Sequence, residues 1–217
     1  MAEKIPIRTR LITENDNLPE VVAEYTKDVA RPGDVIAVAQ KIASITQGRI
    51  IYAPTMRVSW LARFLCRFVG SASSQHSPEG MQAAIDEVGY FRVLLGALAG
   101  GLGKLMGRKG DFYRITGEKV FVIDDAGDGS GTVPPYNRYV ILAPIDPDAL
   151  AEKIKKKTGV DAAIMDCSYT GSHTLGASKE VDRDEVADLL KDNPFGNFDE
   201  MSPIVVIKQV VSYSSSE

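Results

Sequence analysis

The order of three segments in the second half of the chain constrains its fold most. Residues 138–142 (RYVIL) and 162–165 (AAIM) are apolar runs of strand length, and the residues between them fit a helix over 148–157 with Asp146 as its N-cap. A strand, a helix and a second strand in this order are typical of a crossover unit with parallel strands. The order therefore predicts the α/β class, with a mixed sheet.

Other segments with clear periodicity extend this prediction along the chain. The pattern predicts strands over 5–12, 35–39 and 204–211, helices over 18–29 (with Asn17 as N-cap), 56–69, 78–95 and 184–191, a strand pair around residues 47–49, and another over 112–115 and 120–123. The sequence contains neither an internal repeat nor a linker, so we expect one domain over 1–217.

Composition excludes several classes of protein. Hydrophobic residues make up 44% of the 217 and the net charge is −4, which argues against a protein that coats nucleic acid. The first twelve residues alternate apolar and charged types and do not form a signal peptide. The most apolar stretch, 93–106, is too short to span a membrane, so we expect a cytoplasmic protein.

A glycine-rich segment over 93–110 is predicted to be a lid, an insert or a membrane-facing hairpin. Its glycines raise the entropy lost on ordering, so we expect the segment to pack poorly against the core. Its apolar residues would then be exposed, namely Leu94, Leu95, Leu98, Leu102, Leu105 and Met106. A phosphate-binding loop is excluded, because Leu98 and Leu105 replace required residues.

Carboxylates follow two of the predicted strands. Asp124, Asp125 and Asp128 come directly after residues 120–123, where a metal site and a solvated turn are equally good interpretations. Asp166 follows the strand over 162–165, and aspartates at the ends of strands suit Mg²⁺ or Mn²⁺. A separation of 38 residues between Asp128 and Asp166 does not by itself bring them together. The two histidines, His76 and His173, are interpreted as isolated surface residues.

Four stretches of the chain resemble the coenzyme F-420-0:L-glutamate (gamma-glutamyl) ligase family and its short bacterial relatives. They are IPIRTRLITENDNLPEVV, RPGDVIAVAQKIASITQGRI, LAPIDPDALAEKIKKKTGVDAAIMD and DNPFGNFDEMSPIVVI. The resemblance implies the gamma-glutamyl-ligase-like fold and an intertwined homodimer. It also implies an amide ligase that uses GTP or ATP to add L-glutamate to a carboxylate-bearing cofactor through an acyl phosphate. The alternative is a non-catalytic homologue that binds a nucleotide or cofactor.

The resemblance also implies the site residues. By position, Asp128, Asp166 and Glu200 match metal ligands for Mg²⁺ or Mn²⁺, and the nucleotide contacts fall on Arg8, Thr9, Arg10 and Leu11. The chain departs from the family pattern in three places, with Ile45 in place of a phosphate-facing lysine, Gly131 in place of an asparagine and Cys167 in place of a threonine. Gln40 and Lys41 lie near the position of the missing lysine, and Lys41 is expected to replace it. No catalytic residue is assigned.

Overall fold

A five-stranded mixed sheet forms from strands at both ends of the chain. In the computed structural model, which describes residues 2–70, 73–127, 132–168, 171–196 and 200–208, the chain divides into two units. Unit 1 comprises Met1–Gly48 and Pro144–Glu217, and unit 2 comprises Arg49–Ala143. The single domain over 1–217 stays a prediction.

The described helices and strands take the following bounds in chain order. They are β1 (Lys4–Ile7), α1 (Leu18–Thr26), β2 (Val35–Ala39), α2 (Gln40–Thr46), β3 (Ile50–Tyr52), α3 (Trp60–Leu65), α4 (Pro78–Val88), α5 (Tyr90–Leu105), α6 (Asp111–Thr116), α7 (Glu118–Phe121), β4 (Tyr139–Ile141), α8 (Pro147–Thr158), β5 (Asp161–Ser168), β6 (Gly171–Ala177), α9 (Arg183–Leu189) and β7 (Ile204–Ile207). Short 3-10 turns occur at Ala53–Thr55, Cys66–Phe68, Ser74–His76 and Tyr136–Arg138.

The sheet of unit 1 has the order β1-β7-β2-β5-β6. Strands β2 and β5 are parallel, and the other neighbours are antiparallel. The mixed α/β class predicted from the sequence is confirmed. Strand β7 lies in the interior of the sheet and pairs on both edges, so it does not need a partner chain to cover it.

The predicted crossover unit is wrong in its strand partners. Strand β4 pairs with β3 in a separate two-stranded sheet of unit 2, and β5 pairs in parallel with β2. Helix α8 does connect β4 to β5, with the side chain of Asp146 accepting a hydrogen bond from the backbone of Ala149 as its N-cap. Periodicity locates elements along the chain, but it does not identify which strands pair.

Alternation along β5 divides the core of unit 1 between the two faces of the sheet. Ala162 and Ile164 pack with α1, α2 and α8, whereas Ala163 and Met165 pack with α9. By the same alternation Asp166 belongs to the face that α1, α2 and α8 cover, and Cys167 packs against the opposite cluster. The polar residues that follow the strands are therefore assigned to defined faces.

Unit 2 is largely helical, and this overturns the strand pair predicted over 112–115 and 120–123. Residues 112–115 lie in α6 and residues 120–121 in α7, and these helices begin after Gly110 and Gly117, two glycines with positive φ. Short apolar runs fit a buried helical turn as well as a strand, so only packing decides between them. Similarly, the first strand of the pair expected around residues 47–49 is wrong, because the residues before 47 form helix α2.

Residues 93–105 of the glycine-rich segment belong to helix α5, and its glycines approach α6 closely, contrary to the predicted poor packing. Gly96, Gly100 and Gly103 line one side of α5, against α6. A Cβ added at Gly96 would stand 2.9 Å from Cγ2 of Thr116, and one at Gly100 would stand 3.3 Å from Cβ of Phe112. These glycines serve close helix packing. The predicted exposure of the leucines and Met106 is confirmed, with Leu98 65% and Leu105 86% exposed. A lid or insert over 93–110 stays a prediction.

Among the described residues, no single helix is both long and apolar enough to cross a membrane. Helices α4 and α5, bent by 119° relative to each other, meet the criteria only as a pair, by length and composition.

Candidate functional site at one end of the sheet

The register of unit 1 brings several predicted site residues to the same end of the sheet. Ala39 is paired with Met165 at the end of the parallel ladder, so Gln40 and Asp166 follow side by side. Neighbouring strands lie about 4.8 Å apart, so the backbones at Gln40 and Asp166 are separated by a distance of this order. The parallel pairing of β2 and β5 therefore places the carboxamide of Gln40 and the carboxylate of Asp166 at the same end of the sheet.

Strands β1 and β7 lead to the same end of the sheet. Ile204 begins β7 opposite both Val38 and Ile7, so the start of β7 adjoins the ends of β1 and β2. The backbone N–H of Thr9 donates to the carbonyl of Met201 at 2.9 Å, and this bond ties the segment after β1 to the segment before β7. We call this end of unit 1 the β2–β5 edge, and it gathers Arg8, Thr9, Gln40, Asp166 and Glu200.

The segment after β1 is held by an ion pair, and its side chains differ in exposure. Arg10 forms a bidentate ion pair with Asp16, with Nη1–Oδ2 and Nη2–Oδ1 distances of 2.9 and 2.6 Å. The hydrogen bond from Arg10 holds the pKa of Asp16 well below its usual range. Thr9 is buried, Leu11 is half-buried and Arg8 is exposed. Arg10 therefore shapes the loop, and Arg8 is an exposed cation at the edge.

The helix after β2 contributes a buried carboxamide. Nε2 of Gln40 donates to Oγ of Ser44 at 3.1 Å, inside α2, and Lys41 is half-buried. Ile45 lies in the same helix and is only 3% exposed. A lysine at that position would have to bury its ammonium group, which is costly without a partner. The role of Lys41 in place of that lysine stays a prediction.

The strand that carries Asp166 also carries Cys167, whose sulfur suits softer metals than Mg²⁺. Burial raises the pKa of the Cys167 thiol to about 11, and the charge of Asp166 acts in the same direction, against the hydrogen bond with Ser172. Sγ of Cys167 lies 2.9 Å from Oγ of Ser172. A neutral thiol on the face opposite Asp166 leaves the carboxylate as the metal-binding candidate on this strand.

Cys167 is expected to react slowly with thiol reagents. A pKa of about 11, against 9.0 for an unperturbed thiol, lowers the thiolate fraction at pH 8 about a hundredfold. Alkylation by iodoacetamide, followed by peptide mapping, should show a rate that keeps rising with pH beyond pH 9. The Cys167→Ser variant identifies the signal. A rate that levels off near pH 8 would contradict the burial of this thiol.

The acidic loop of unit 2 is described only in part. Asp124 bridges to Ile141 through its backbone, beside β4. Burial raises the pKa of the Asp125 carboxyl, against the hydrogen bond from Ser77, which lowers it. Asp128 and Gly131 lie outside the described residues, so the role of Asp128 as a metal ligand stays a prediction. Among the described side chains, no group of three or more His, Cys, Asp or Glu residues is arranged to hold a metal ion.

His173 is a residue of this edge that sequence reasoning did not place there. It lies directly opposite Asp166 in the antiparallel pair of β5 and β6, and directly opposite residues share one face of a sheet. The prediction that it is a surface residue is confirmed, as it is for His76. The signal that could have located His173 is the short interval in the sequence between β5 and β6, because strands so close along the chain usually pair in antiparallel fashion.

Comparison with known protein families extends this description. The family model for F420-0:Gamma-glutamyl ligase matches residues 6–170, well over half of the 217 residues. The chain belongs to this family. The match runs from β1 through β5 and so includes Arg8, Gln40 and Asp166 of the β2–β5 edge. No curated protein matches the chain.

Membership in the F420-0:Gamma-glutamyl ligase family confirms the resemblance found in the sequence and indicates a ligase that adds glutamate. The family implies small-molecule substrates, namely glutamate and a precursor of coenzyme F420. The matched region ends before β6, α9 and β7. The interior strand β7 and the preceding Glu200 therefore belong to a part of the chain that the family model does not cover.

Proposed function

We propose that this chain is a metal- and nucleotide-dependent amide ligase that adds L-glutamate to a carboxylate-bearing cofactor through an acyl phosphate. The observation that carries the proposal is the β2–β5 edge, where Arg8, Gln40 and Asp166 lie at the same end of the sheet, within the region matched by the family. Carboxyl ends of neighbouring strands are where ligands collect in α/β sheets.

The residues of the edge suit a hard divalent cation. Asp166 and the exposed Glu200 offer carboxylate oxygens, the ligands that Mg²⁺ and Mn²⁺ prefer. Such an ion, when bound, offsets the negative charge of nucleotide phosphates. We assign Asp166 and Glu200 to hold the ion and Arg8 and Lys41 to neutralise phosphate oxygens.

The proposed reaction has two steps, and each forms one bond and breaks another. A carboxylate oxygen of the acceptor attacks the γ-phosphorus of GTP or ATP, and the bond to the nucleoside diphosphate breaks. The amine of glutamate then attacks the acyl carbon, an amide bond forms, and inorganic phosphate leaves with the acyl oxygen. The chain's part in both steps is to position the reactants and to stabilise developing negative charge, which is where most of the rate enhancement in phosphoryl transfer arises.

A second candidate is a nucleotide- or cofactor-binding homologue without ligase activity. The buried Ile45, at the position where the family pattern has a lysine, favours it because one phosphate-facing cation is missing. The two candidates predict the same ligands and differ only in turnover.

A ligand panel tests the proposal. Thermal unfolding is followed with GTP, ATP and neither, each with Mg²⁺, Mn²⁺ or a chelator. We expect nucleotide to raise the melting temperature only when metal is present, since a ligand at 100 times its Kd stabilises the folded state by about 2.7 kcal/mol. Mass spectrometry of reactions with glutamate and a carboxylate acceptor then detects amide product. Metal-dependent nucleotide binding without product would favour the binding homologue, and the absence of nucleotide binding would overturn the ligase.

A further inference from the structure

Helix α5 carries its apolar residues on the outside. Phe91, Leu94, Leu95, Leu98, Leu102 and Leu105 recur at intervals of three and four residues and so share one side of the helix, which we call the α5 outer face. These residues are between 38% and 86% exposed. A surface helix of a globular protein normally turns such a face toward the core.

The inner side of α5 explains this inversion. It is built from Gly96, Gly100 and Gly103, which pack against Phe112, Thr116 and Asp111 of α6. Glycines bring the two helices close together and leave the large side chains on the other side. Of the fourteen large hydrophobic residues that are exposed among those described, all but Ile145 lie in unit 2. An apolar surface of this extent usually marks an interaction site.

The positive charge of unit 2 favours a partner with an anionic surface. Unit 2 has eleven Lys and Arg against eight Asp and Glu, a net charge of +3, although the whole chain carries −4. Residues 90–119 have six basic and two acidic residues, and one of the two acids, Asp111, is buried between Arg108 and Arg114. Lys104 and Lys109 are exposed near the end of α5. Exposed cations therefore lie near the C-terminal end of the apolar outer face.

We infer that the α5 outer face docks on a membrane surface that contains anionic lipids. A helix of sixteen residues is about 24 Å long and lies in the plane of the interface, with its leucines among the upper acyl chains and its lysines at the phosphates. A second copy of the chain fits less well. A symmetric contact sets each patch against itself, which would bring the cations of both copies together.

Vesicle flotation of the full-length protein tests the inference. We expect binding to vesicles of phosphatidylcholine with 30% phosphatidylserine, weak binding to phosphatidylcholine alone, and loss of binding as salt is raised. The double variant Leu98→Ser, Leu105→Ser should lower the partition coefficient on the order of tenfold. Ile145→Ser, which changes an equally exposed residue of unit 1, is the matched control and should bind like the wild type.

Two further variants guard against effects on folding. Lys104→Gln with Lys109→Gln removes two exposed charges and should weaken binding to anionic vesicles while leaving the melting temperature unchanged. Leu98→Trp in a Trp60→Phe background places the chain's one tryptophan on the outer face, and its emission should shift to the blue with anionic vesicles. Wild-type protein that binds neither vesicle type overturns the inference. So does self-association, measured by light scattering, that is lost in the double leucine variant.

Discussion

Asp166→Asn is expected to abolish ligase activity and the metal-dependent part of nucleotide binding. The substitution keeps the shape of the side chain and removes the negative charge that a divalent cation requires. A metal ion contributes several kcal/mol of charge stabilisation in such chemistry, so turnover should fall by a factor of about 100 to 1000. Isothermal titration with Mn²⁺ and a product assay measure the two effects separately.

Asp161→Asn is the matched control for this prediction. Asp161 begins the same strand at its opposite end, where it pairs with Lys155 at 2.9 Å and accepts a hydrogen bond from Ser178 at 2.7 Å. Both variants remove one carboxylate charge from β5, but only Asp166 belongs to the β2–β5 edge. Equal activity in the two variants, or unchanged Mn²⁺ binding in Asp166→Asn, would show that the metal site lies elsewhere.

Gly103→Ala is expected to lower the free energy of unfolding by about 2–3 kcal/mol. An added Cβ would stand 2.1 Å from Oδ2 of Asp111, and that carboxylate cannot move freely because Arg108 and Arg114 hold it at 3.0 and 2.6 Å. The methyl group must therefore displace either α6 or the ion pairs. Urea unfolding, followed by circular dichroism, measures the loss.

Gly101→Ala in the same helix is expected to raise the free energy of unfolding. No atom lies within 4 Å of the Cβ position at Gly101, and its φ is not positive, so alanine should stabilise the helix by about 0.5–1 kcal/mol. The contrast separates the two roles of glycine in α5. If both variants gain stability to a similar extent, the glycines of α5 do not serve packing against α6.

Local chemistry in the sequence was enough to place much of the fold. Asn17 and Asp146 cap helices in the structure because short polar side chains at these positions accept hydrogen bonds from the first turn. The apolar run 35–39 forms β2 at the predicted bounds, because five consecutive apolar residues suit a strand that is buried on both faces. The family also followed from the sequence, because its motifs lie in contiguous stretches.

Residues 112–123 show where local information was insufficient. Phe112 and Val120 are apolar in a strand or a helix alike, and the choice was made by contact of α6 with the glycine side of α5. The same contact turned the leucines of α5 outward.

The β2–β5 edge was likewise decided by tertiary structure. Gln40 and Asp166 are adjacent only because β2 and β5 pair in parallel, and His173 faces Asp166 only through the register of β6. The sequence by itself determined the residue types, the caps, most of the elements and the family, all of which depend on near neighbours in the chain. Strand partners, the inverted face of α5 and the meeting of polar residues at one edge depend on contacts between distant segments, so only the tertiary structure decided them.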